Sequence, residues 1–200
     1  MIKEEILNFR KNKCCTLLGV GPMSINCINT TIDIANEYDI PIFLISSRRQ
    51  IDCESKGKGY VNNWSTLEFS NHVKERDKKG FIYLSRDHGG PWQNPVEKNF
   101  NLKEAMESAK DSYLEDMKAG YKILHIDPSI DIHGKPDTNE ILNRAFELYE
   151  YCWEQAQNMN IDIAFEIGTE EQSEGTNCLE EFEYTLEKMT TFCSKNKIPI

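Results

Sequence analysis

The chain has 200 residues, enough for one sizeable core and no reason to expect a second domain. Its formal net charge of −10 at pH 7, with a pI near 5.0, speaks against a nucleic-acid or anionic-membrane surface. No apolar run approaches the roughly 18 residues of a membrane span, and Met1-Ile-Lys-Glu-Glu lacks the basic-then-apolar plan of a secretory signal, so a cytoplasmic protein is expected.

Seven cysteines, an odd count without a C-x-x-C pair, argue against a zinc knuckle or a complete disulfide framework. Reduced, mostly buried thiols are the expectation.

Residues 1–13 read as a short helix and turn. A first strand, 15–20, ends in Gly19-Val-Gly-Pro22. This G-x-G lacks a third glycine and meets a proline, which weakens a dinucleotide reading. A helix over 24–38 carries Ile25, Ile28, Ile32 and Ala35 on one stripe, and a second strand, 42–45, runs into Ser46-Ser-Arg-Arg-Gln50. A long polar loop spans 52–63. Ser65 and Glu68 have capping-box spacing, and Gly80 is the expected stop of the helix they begin.

The third strand, 81–85, breaks into Arg86, Asp87 and His88, then Gly89, Gly90 and Pro91. Asn101 and Glu104 begin another helix that Gly120 ends. A fourth strand, 122–127, reaches Pro128, and Asp137 or Thr138 caps the following helix. A fifth strand, 161–167, precedes a last helix carrying Leu179, Phe182, Leu186, Met189 and Phe192. Lys197-Ile-Pro-Ile200 reads as the opening of a sixth strand.

Strict βα alternation predicts a parallel sheet with right-handed crossovers. A closed (β/α)8 barrel needs about 250 residues, and roughly forty per unit here would require more, so the chain is expected to hold only the first five units. Such an unclosed sheet would leave an open edge and marginal solubility.

In α/β proteins chemistry gathers at the carboxyl ends of strands. Alternation turns Asp162, Ala164 and Glu166 to one face of the fifth strand and gives His125 and Asp127 a common face on the fourth. If Ser85 and Asp87 point inward too, then Asp87, His125, Asp127 and Glu166 crowd one end, a plausible set for Zn²⁺ or another divalent ion. Each has a structural alternative. Asp87 can bind loop amides, His125 can be a hydrogen-bonded interior histidine, and Glu166 can pair with Arg48, Arg49 or Arg86. Lys122, the only strand lysine, sits at the wrong end for imine chemistry.

Asp87-His-Gly-Gly-Pro-Trp-Gln93, Ala119-Gly-Tyr-Lys-Ile-Leu-His-Ile-Asp-Pro-Ser129 and Ile167-Gly-Thr-Glu170 resemble motifs of the GatZ/KbaZ-type subunit of D-tagatose-1,6-bisphosphate aldolase. Gln50 and Gly59-Tyr60 match its earlier loop, and the resemblance runs from about Leu18 to the end. It implies an aldolase-type TIM (β/α)8 barrel, with Asp87 as acid/base group and His88 as metal ligand. Glu170 becomes the carboxylate nearest the metal, and His125 a further ligand by the spacing argument. Gln50, Arg86, Asp127 and Ser129 are expected substrate contacts. The metal would polarise a ketose carbonyl during C–C cleavage. Implied partners are a phosphorylated ketose and a separate catalytic class II aldolase chain, since this subunit type is regarded as non-catalytic. Arg86, Gly89, Ser46 and Glu171-Gln172 depart from the pattern. A metal-dependent sugar epimerase is the alternative enzyme, and a purely structural partner the alternative of another class.

Overall fold

Five parallel strands lie side by side in the order in which the chain makes them. The computed structural model describes residues 2–13, 16–169 and 179–198. The elements are α1 (Ile2–Lys13), β1 (Leu18–Val20), α2 (Ile25–Tyr38), β2 (Ile42–Ser47), α3 (Thr66–Arg76) and β3 (Ile82–Asp87). They continue as α4 (Leu102–Ala119), β4 (Ile123–Ile126), α5 (Thr138–Met159), β5 (Ala164–Ile167) and α6 (Leu179–Asn196). A doubly wound sheet reverses its strand order part-way. Here every crossover adds a strand to the same edge, which puts α2 to α6 on one side and curls the sheet as in a barrel.

The pleat sorts the side chains. Leu44, Leu84, Leu124 and Ile126 face the helices and pack with Ile28, Ile32, Phe69, Val73, Met106, Tyr113 and Leu148. The other face carries Phe43 stacked on Tyr83 at 5.4 Å, then Ser85 and Asp87 further along β3. Near the amino ends, Ile6 and Phe9 of α1 border a groove of about 220 Å³ with Pro41, Phe43, Phe81 and Tyr83. Among the described residues no helix is long and apolar enough to cross a membrane. Four cysteines among them, Cys27, Cys53, Cys152 and Cys193, are free thiols.

Capping follows the local sequence. Ser65 with Glu68, Asn101 with Glu104 and Asp137 with Glu140 each form a reciprocal box. Asp137 rather than Thr138 is therefore the cap. Gly80 does not end α3. The helix stops at Arg76, and the Asp77 carboxylate accepts from the backbone N–H of Gly80 (3.0 Å) and Ile82 (2.7 Å), steering the chain into β3. The 52–63 loop is tied down by buried Cys53 and Val61 and by Gly59, where a Cβ would stand 1.9 Å from the Gln50 carbonyl oxygen.

Strand lengths depart from the sequence expectation in a consequential way. β3 runs two residues further, through Arg86 and Asp87, in register with Ser46 and Ser47 of β2. β5 begins only at Ala164. Ile198 is buried and its N–H donates to the Cys193 carbonyl at 2.9 Å, which closes the end of α6. The expected sixth strand otherwise falls on residues outside the described range.

Candidate metal centre

Because β3 remains a strand to Asp87, neighbouring side chains there must point to opposite faces. Arg86 turns toward the helices. It is fully buried, and its Nε and Nη2 donate to Asp116 of α4 at 2.7 and 2.6 Å. Its Nη1 donates to the carbonyls of Ser46 (2.9 Å) and Ile51 (2.7 Å). Burial disfavours the charge, yet Asp116 overrides it and holds the guanidinium protonated. Expected as a substrate contact, Arg86 is instead part of the scaffold.

Asp87 turns to the opposite face. One of its carboxylate oxygens lies 3.7 Å from His88 Nε2 and 3.7 Å from His125 Nδ1. Spacing had favoured His125 and the family resemblance His88; the structure brings both to Asp87. His88 is the first residue past the strand and has a φ of +43°, a conformation that side chains beyond glycine rarely adopt. That turn swings its ring back beside His125, with centroids 5.3 Å apart.

Behind His88 sits Asp127, 1 % exposed, its Oδ2 accepting from His88 Nδ1 at 2.6 Å. Gln93 Nε2 donates to the same oxygen at 3.0 Å, and Ser129 Oγ donates to Oδ1 at 2.5 Å. Burial works against the Asp127 charge, but the bonds from His88 and Ser129 outweigh it and keep the carboxyl below its usual range. The same bond, opposed by partial burial and aided by Asp87, raises His88. His125 is also raised: its burial is overcome by Asp87, Glu166 and Asp127. A carboxylate only accepts, so Nδ1 of His88 donates to Asp127, which leaves Nε2, on the Asp87 side, as the nitrogen that would ligate a cation once deprotonated. Metal-binding histidines are commonly held by a carboxylate in this way.

The donor set could hold a divalent cation, although the His125 Nδ1 that faces Asp87 here accepts from the His88 backbone N–H at 3.3 Å, a bond that a bound ion would displace. One ligand atom from each of Asp87, His88 and His125 lies within 4.8 Å of the others. Ligands about 2.0–2.2 Å from zinc stand roughly 3.5 Å apart, close to the separations from Asp87. An ion held by two imidazoles and one carboxylate would retain room for a further oxygen ligand. Gly168 leaves room for the second ring, since a Cβ there would stand 2.4 Å from His125 Nε2.

The other expected site residues stand outside the Asp87–His88–His125 cluster itself. Asp127 and Ser129, expected to meet substrate, are almost fully buried and support His88. Gln50, also buried, accepts from the Ser47 N–H at 2.9 Å and reaches the Pro22 carbonyl at 3.4 Å, bracing the loops after β1 and β2. Glu170 lies outside the described residues. Glu166 stands beside His125 in the β4–β5 register and is exposed. Of the three arginines that the sequence offered Glu166, Arg48 is paired with Asp52 and Glu97, Arg86 with Asp116, and Arg49 is exposed. Sequence reasoning assigned no role to Gln93, which meets Asp127 across 34 residues with no local signal to announce it.

No protein-family model matches the sequence, and no curated protein matches it. Solved structures do. A probable tagatose 6 phosphate kinase from Sinorhizobium meliloti 1021 aligns with a TM-score of 0.73 at 19 % identity, over 92 % of this chain and 46 % of that one. The chain folds as part of a TIM barrel. The D-psicose 3-epimerase of Clostridium cellulolyticum H10, solved with D-tagatose, aligns with a TM-score of 0.52 at 13 % identity, over 86 % of this chain and 60 % of that one. This chain spans about half the length of the first of these relatives.

Proposed function

We propose that the chain carries the metal-binding part of a site for a phosphorylated ketose, in an aldolase-type barrel akin to the GatZ/KbaZ subunit of tagatose-bisphosphate aldolase. The observation that carries this reading is the Asp87–His88–His125 cluster at the carboxyl ends of β3 and β4, with Asp127 bonded behind His88. That end of the strands is where barrel enzymes work. A divalent ion held there would polarise a ketose carbonyl.

The chain's own residues supply the rest. Asp127 fixes the ring and tautomer of His88, and Gln93 and Ser129 fix Asp127. With one Asp87 oxygen turned to the two imidazoles, the other oxygen of this carboxylate, whose side chain is 35 % exposed, would move a proton to or from a substrate hydroxyl. A catalytic class II aldolase chain is the proposed partner. An epimerase is the second reading, favoured by the likeness to the D-psicose 3-epimerase structure.

The deciding experiment measures bound metal in the purified chain and in His88→Ala, together with cleavage of tagatose 1,6-bisphosphate with and without a catalytic aldolase chain. Metal lost in the variant plus cleavage by the chain alone establishes an aldolase. Cleavage only with the partner establishes an accessory subunit. Metal without cleavage, and interconversion of ketoses with an intact carbon skeleton, establishes the epimerase. Absence of metal and of any effect on the partner overturns the proposal.

A further inference from the structure

Arg48, one residue past β2, is fully buried among charges that play no part in the cluster described above. Its Nε donates to Asp52 at 3.0 Å, and its Nη2 lies 2.6 Å from Glu97, with both carboxylates fully buried. The remaining arm, Nη1, donates to the carbonyl of Gly90 at 2.8 Å. Gly90 is two residues from His88, and its other side rests on the chain just past β4, where a Cβ would stand 1.9 Å from the Asp127 carbonyl oxygen. Gly89 between them donates to the His125 carbonyl at 3.1 Å, and the Tyr113 hydroxyl of α4 contacts the carbonyl oxygens of both Gly89 and His125.

The backbone that carries His88 is therefore gripped from three sides. A buried ion network is rarely the most stable filling for such a space, because apolar groups avoid the desolvation cost. What a guanidinium adds is a rigid fork of donors that holds several partners at fixed angles. We infer that Arg48 is the positioning residue for His88: it anchors the Gly90 carbonyl and so holds His88 at positive φ with its ring between Asp127 and Asp87. This rests on the proposed metal site for its functional meaning.

The test uses the full chain and Co²⁺ as probe. Arg48→Lys retains the positive charge beside Asp52 and Glu97 but loses the fork to Gly90. Ser70→Ala removes an unrelated buried hydrogen bond, to the Ala119 carbonyl at 2.6 Å, and controls for general loss of stability. Co²⁺ affinity is read from titration of its visible absorption, and the His88–Asp127 proton from its downfield NMR resonance in metal-free protein. Arg48→Lys is expected to weaken Co²⁺ binding at least tenfold and to lose that resonance, whereas Ser70→Ala keeps both. Wild-type affinity and resonance in a folded Arg48→Lys would overturn the inference. If the wild type takes up no Co²⁺, the metal reading fails, and the metal-free resonance alone decides the role of Arg48.

Discussion

His88 and Asp127 are 39 residues apart in sequence and meet at 2.6 Å, imidazole Nδ1 to carboxylate, behind the one cluster of potential metal ligands among the described residues. Asp127→Asn keeps the size and removes the charge. Zn²⁺ affinity, measured by competition with a chelating dye, is expected to fall about 10- to 100-fold. Unchanged affinity would mean that His88 does not need its carboxylate, and would remove the support for Asp127 as its anchor.

Gly168 tests the second imidazole. Its backbone permits a side chain, but a Cβ would stand 2.4 Å from His125 Nε2, so the ring must move. Gly168→Ala is expected to weaken metal binding roughly tenfold, a change of about 1.4 kcal/mol, while thermal stability moves little. A titration that matches wild type would show that His125 has slack and is no ligand.

The Arg86–Asp116 pair has no exposure on either side. Arg86→Met leaves Asp116, whose carboxyl burial already pushes up, without its partner. A loss of about 3–5 kcal/mol in urea unfolding is expected, and the double variant Arg86→Met/Asp116→Leu should recover much of it. If the single variant is as stable as wild type, the pair does not hold β3 to α4.

Acid sensitivity should appear at the start of α3. Glu68 accepts from the Ser65 backbone N–H at 2.7 Å and from Lys58 at 2.9 Å, and these bonds lower its carboxyl to about 2. Its folded value lies below the unfolded one, so its contribution is present above about 4.3 and is lost as pH falls toward 2. Denaturation midpoints of wild type and Glu68→Gln should therefore differ at pH 7 and converge near pH 2. Parallel pH profiles would contradict this.

The alternation of strands and helices, the parallel sheet and the capping boxes were legible in the sequence because each depends on residues a few positions apart. Ser65 and Glu68 announce their box at a spacing of three, and the stripe of Ile28, Ile32 and Ala35 announces the buried face of α2. Asp87, His88 and His125 were legible as candidates because titratable groups at the ends of apolar strands have few other reasons to be there.

What they do could not be assigned from spacing. The strand rule divides Arg86 from Asp87 only once the length of β3 is known, and the register with Ser46 and Ser47 fixes that length. Positive φ at His88 brings its ring to His125, and the backbone just after it is contacted from the loop after β2, from β4 and from α4. Asp127 and Ser129 moved from expected substrate contacts to supports for the same reason: burial is a property of the assembled sheet. The sequence by itself determined the repeating βα plan and which strand ends bear chemistry, since periodicity and capping act locally. Tertiary structure alone decided which of those groups share a site, because that requires backbone from several strands to meet.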